Sequence, residues 1–204
     1  MPFQFDPKTY FQNNIWRIVS LNGFIIFLLI CWIIKKEWKV IKFSLLKEKK
    51  KIFWQSVYLL FAFSTIHFIL KFFFTDKADK INELIVAIDQ NKNNLWFLIR
   101  IIFGLCVLAP IIEEFVYRYF VFKVFGKKNP LSYLLSFFAF ILAHYCWRGE
   151  NITTLFLQYS VANLALICIY KKSNWNILFP ILLHSLINLL FISLTIINPS
   201  SFLI

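Results

Sequence analysis

Residues 95–125 read LWFLIRIIFGLCVLAPIIEEFVYRYFVFKVF. The run is longer than the ~20 apolar residues that a helix needs to cross a hydrocarbon core. Near its middle it nevertheless carries Glu113, Glu114 and Arg118. A charged side chain at the centre of a membrane helix costs about 2.5–3.5 kcal/mol on insertion scales, so such groups face the bundle interior and are paired. Glu114 and Arg118 are four residues apart, on one helix face, and are placed to neutralise each other. Glu113 points about 100° away from Glu114 around the helix and stays available for chemistry. Pro110 removes one backbone donor and is expected to kink or break the span, which we bound at 94–125.

The rest of the chain agrees with a membrane setting. Hydrophobic residues make up 60% and charged residues 16% of the 204, against roughly half and a quarter in soluble domains. The 26 Phe, 7 Trp and 8 Tyr suit acyl chains and headgroups. Further apolar segments at 14–34, 53–74, 131–147, 152–170 and 175–197 give an all-α transmembrane bundle of about six spans. No basic n-region precedes the first segment, so it is expected to be retained as a span. We divide the chain into two N-terminal spans (1–92), a helical core (93–197) and a short tail (198–204).

Charge sets the topology. Lys35, Lys36, Lys39, Lys42, Lys47, Lys49, Lys50 and Lys51 face only Glu37 and Glu48 between the first two spans, which places that loop in the cytoplasm. Lys123, Lys127, Lys128, Lys171 and Lys172 fall on the same side, and the mixed-charge loop at 75–93 on the other. Six crossings put both termini outside. The net charge of +12 is accounted for by these loops and anionic lipid, and nucleic acid is not a partner. Cys31, Cys106, Cys146 and Cys168 lack C-x-x-C spacing and read as small buried hydrophobes.

Two more spans hold polar groups that lipid disfavours. The fourth carries His144 and the sixth carries His184 and Asn188, again four residues apart on one face. Counted from the GKKNP turn at 126–130, Glu113 and His144 both lie roughly 18–20 Å along their helices. Three helices thus bring a carboxylate, two imidazoles and a carboxamide to similar depth, as a candidate site. His67, Asn163, Gln158 and Gln55 read as ordinary interhelical hydrogen-bonders.

The motifs EEFVYR (Glu113 to Arg118), FILAH (Phe140 to His144) and HSLIN (His184 to Asn188) resemble E-E-x-x-x-R, F-x-x-x-H and H-x-x-x-N/D of the CPBP family, the Abi or type II CAAX proteases. That family includes the Rce1-type prenyl endopeptidases and bacteriocin-processing proteins. The resemblance covers roughly residues 93–197. It implies an intramembrane endopeptidase with Glu113 as general base, His144 helping to bind and activate water, and His184 with Asn188 as oxyanion donors. Glu114 and Arg118 would be supporting residues. The implied substrate is a peptide or lipidated protein, and the Lys-, Asn-, Ile- and Phe-heavy composition points to a bacterial plasma membrane.

Two readings of the cofactor stay open. One is metal-independent hydrolysis, favoured by the lack of an H-E-x-x-H motif. The other is a single divalent metal such as zinc held by Glu113, His144 and His184, with Glu114 then left as the base. Two other functions are also weighed: a non-catalytic scaffold or bacteriocin self-immunity protein, and a small ion pathway.

Overall fold

A computed structural model describes residues 79–148 and 152–197, with isolated positions between 28 and 58. The spans expected at 14–34 and 53–74, the basic loop between them and the tail at 198–204 lie outside the described residues, those isolated positions apart. Among the described residues every element is a helix and there is no strand.

Five helices make up this part of the chain. They are α1 (Asp79–Gln90), α2 (Leu95–Phe125), α3 (Pro130–Arg148), α4 (Ile152–Lys172) and α5 (Leu178–Ile197). Short turns join α2 to α3 and α4 to α5, and such short connections make neighbours antiparallel. α2 packs against α3 and α5, and α4 packs against the same two helices. The loop expected at 75–93 contains α1, whose Ile85 and Ile88 are buried and which packs against α5. An apolar position every three or four residues (Ile81, Leu84, Ile85, Ile88) is the sequence signal for that helix.

Helices α2 and α5 are long and apolar enough to cross a membrane by length and composition. At 31 residues α2 extends roughly 46 Å. It begins at Asn94, whose side chain accepts from the Phe97 N–H at 3.2 Å, a cap that occupies one of the unpaired first-turn donors. Pro110 neither breaks α2 nor ends it. The helix instead changes register, with π-helical stretches at Phe103–Leu108 and Phe115–Phe120 on either side of Ala109–Glu114. A π turn inside an α-helix is uncommon and is frequent at functional sites.

The turn after α2 uses Gly126 at φ +93°, a conformation that a Cβ strains even though there is open space around it. The turn after α4 places Asn174 and Trp175 at φ 56° and 65°, left-handed values that cost of order 1–3 kcal/mol in non-glycine residues. Packing offsets that cost. The Trp175 ring sits 5.1 Å from Phe122 and 5.4 Å from Tyr170, and Phe122 meets Tyr133 edge-on at 4.9 Å. This aromatic layer draws on α2, α3 and α4 and lies between the two turns and the candidate site. Of the cysteines expected to be buried, Cys106 is, whereas Cys168 is exposed on α4.

Candidate active site

One turn below the aromatic layer lies a set of buried charges. Glu114 and Arg118 have no exposed side-chain surface, and Arg118 Nη1 stands 3.1 Å from Glu114 Oε1. Removing two such ions from water is costly, and attraction repays it only when further polar partners complete the set. Arg118 has two. Its Nη2 donates to Asn163 Oδ1 on α4, and its guanidinium lies over the Phe140 ring of α3, 4.5 Å from the centroid. Such a stack is worth more when desolvated.

Glu114 in turn holds α5. Its Oε1 accepts from His184 Nδ1 at 2.8 Å. A carboxylate only accepts, so this bond puts the proton on Nδ1 and turns Nε2 inward. His144 is fixed by the same logic. Its Nδ1 lies 2.8 Å from the Phe140 carbonyl one turn back, an acceptor that again assigns the proton to Nδ1. The His144 ring packs against Phe140, at 4.4 Å, and Tyr159 of α4, at 4.5 Å.

Both inward Nε2 atoms face Glu113. Its Oε2 is 3.8 Å from His144 Nε2 and 3.7 Å from His184 Nε2. These gaps exceed a hydrogen bond, and Glu113 Oε2 is buried with no hydrogen-bond partner. In the neutral tautomers the three atoms are all acceptors. A molecule carrying two O–H or N–H donors is what such a trio binds.

Asn188 lies one turn further along α5, and the backbone of α2 accounts for its partner. In an α-helix the Ala109 N–H would bond Leu105 O, but in this register it bonds Gly104 O. The next candidate donor is Pro110, which has no N–H. Asn188 Nδ2 supplies the missing donor, at 2.7 Å from Leu105 O. That bond uses one of the two amide hydrogens.

The structure therefore brings together Glu113, Glu114, Arg118, His144 and His184, with Asn188 held on the backbone of α2. Two contributors were not singled out from the sequence as site residues: Asn163, read as an ordinary hydrogen-bonder, and Tyr159. The signal for Asn163 was a buried Arg118 with more donors than Glu114 alone can use.

The donor chemistry of Glu113, His144 and His184 suits zinc. Ligands on one tetrahedral zinc at 2.0–2.2 Å lie about 3.4 Å from each other, and the gaps here are wider. Among the described residues no group of three or more His, Cys, Asp or Glu side chains is arranged to hold a metal ion. The two gaps to Glu113 are a few tenths of an ångström wider than the tetrahedral ideal.

A family model described as Rce1-like, type II CAAX prenyl endopeptidase, matches residues 93–190. Neither the curated proteins nor the solved structures hold a match. The matched stretch begins just before α2, ends within α5, and contains every charged and imidazole group of the site. Residues 93–190 form an Rce1-like domain of the type II CAAX prenyl endopeptidase kind.

Proposed function

We propose that this chain is a multi-pass intramembrane endopeptidase of a bacterial plasma membrane, cleaving a membrane-associated peptide or lipidated protein with Glu113 as general base. The family match supports a CAAX-type membrane protease in general terms. The observation that carries the finer reading is the approach of two tautomer-fixed imidazoles to one carboxylate oxygen, at 3.8 and 3.7 Å.

The chemistry follows from these positions. A water between Glu113 and His144 donates one hydrogen to each, and its remaining lone pairs face the substrate carbonyl. Glu113 takes a proton as the C–O bond forms, then returns it to the departing amine as the C–N bond breaks. Such general-base help contributes about 10²–10⁴-fold. His184, when it carries a second proton, presents Nε2–H to the developing oxyanion, and the second amide hydrogen of Asn188 can join it. Donors of this kind are each worth about 10²–10³ in rate where water is scarce. Glu114 and Arg118 hold His184 in register. No step in this sequence passes through a metal.

The test compares wild type with Glu113→Gln on a quenched peptide library in detergent. Loss of cleavage in the variant supports the reading, and undiminished cleavage defeats it. A non-catalytic scaffold or immunity protein predicts instead that Glu113→Gln keeps its phenotype in cells.

A further inference from the structure

We propose that Asn163 is a positioning residue of this site, fixing the Arg118 guanidinium and, through it, the Glu114 carboxylate and the His184 ring. The inference rests on the endopeptidase reading above but has a test of its own.

Asn163 sits on α4, which carries none of the three motifs, and its side chain is fully buried. Both ends of its carboxamide are used. Oδ1 accepts from Arg118 Nη2, and Nδ2 donates to the Phe137 carbonyl of α3 at 2.8 Å. The second bond fixes which way the amide faces and so presents oxygen, not nitrogen, to Arg118. A guanidinium is planar. Stacked on Phe140 and pinned at Nη2, it has little freedom left, and Nη1 falls 3.1 Å from Glu114 Oε1. The same Oε1 accepts from His184 Nδ1, at 2.8 Å. A shift of Arg118 would therefore move the atom that sets the His184 ring against Glu113.

The choice of an amide has a physical reason. An aspartate at 163 would compete with Glu114 for the same guanidinium. A leucine of similar size would leave Arg118 Nη2 unsatisfied and remove the tie to α3, and a buried charged orphan of that kind is expensive. A neutral acceptor anchors Arg118 without drawing it away from Glu114.

The experiment uses purified full-length protein, wild type and the variants Asn163→Leu, Asn163→Asp, Arg118→Leu and the Asn163→Leu/Arg118→Leu pair. Steady-state cleavage, thermal stability and ¹⁵N-imidazole NMR are measured for each. The chain has three histidines, so their signals can be assigned by substitution. Asn163→Leu should lower kcat roughly 10- to 100-fold, by analogy with the outer partners of metal-bound histidines, with KM little changed. The double variant should be no worse than Arg118→Leu alone, since the two act as one unit. Asn163→Asp should regain rate as pH falls, because a protonated carboxyl reproduces the amide's acceptor and donor. In both Asn163 variants the His184 signals should move while those of His144 stay.

Intact kcat, additive losses or unmoved His184 signals would overturn the proposal and leave Asn163 as a staple between α3 and α4. The NMR arm needs no turnover. If Glu113→Gln still cleaves while His184 responds to Asn163, the functional reading fails and the positioning holds. If Glu113→Gln is inactive while Asn163→Leu is fully active, the reverse is true.

Discussion

The buried cluster around Arg118 and the lysine-rich end of the bundle use similar ingredients, cations set against aromatic rings, to opposite effect. At the rim each cation has its own ring. Lys127 stands 5.5 Å from the Trp175 ring centroid and Lys171 stands 5.6 Å from that of Tyr133, and both lysines are exposed. In the interior a single ring, Phe140, lies under Arg118 and packs on His144, while its carbonyl fixes the His144 tautomer. The rim rings touch, Trp175 and Tyr133 lying 6.5 Å apart, but their cations are exposed and share no hydrogen-bonded atoms. The interior contacts share atoms, so no member can move alone. Burial turns a list of pairs into one unit, and that unit is where precise geometry for chemistry can be kept.

Four substitutions test the contrast. Glu113→Gln should have the largest effect on cleavage, lowering kcat by about 10²–10⁴ with stability almost unchanged, because Glu113 Oε2 has no structural bond to lose. Arg118→Leu should destabilise the fold by about 3–5 kcal/mol, the usual result of stranding one buried ion. Reversible unfolding in detergent measures it, and an Arg118→Leu/Glu114→Leu pair should lose less than two such penalties. Asn188→Ala should cost about 1–3 kcal/mol by orphaning the Leu105 carbonyl. In a Pro110→Ala background, where the helix regains an N–H, that cost should shrink. Lys127→Ala should change stability by no more than about 0.5–1 kcal/mol, with an effect that fades in salt. A large loss there, or a trivial one at Arg118, would erase the distinction between rim and interior.

Much of this architecture could be read from the chain. Spacing alone pairs Glu114 with Arg118, and the helix-length arithmetic brings His144 and His184 to Glu113. Helices α3 to α5 fall within a few residues of their expected bounds. What stayed hidden has physical causes. The π register of α2 depends on which N–H groups find partners, and no periodicity of side chains reports that. That Asn188 also caps the Leu105 carbonyl emerges only when the missing N–H of Pro110 is counted against the carbonyls of α2. Asn163 looks ordinary because its importance comes from Arg118, 45 residues away. Helix α1 was legible in its apolar spacing but was masked by a charge pattern that reads as a loop.

The wider-than-tetrahedral trio also bears on metal. Cleavage should resist a phenanthroline chelator to the same degree as a non-chelating isomer. The most direct test of the central claim joins that arm to the base. Detergent-purified wild type, Glu113→Gln and His144→Ala are assayed on one quenched-fluorescent peptide library, with and without chelator. The account predicts cleavage by wild type in both conditions and its loss in both variants. Wild-type rates in Glu113→Gln would contradict it.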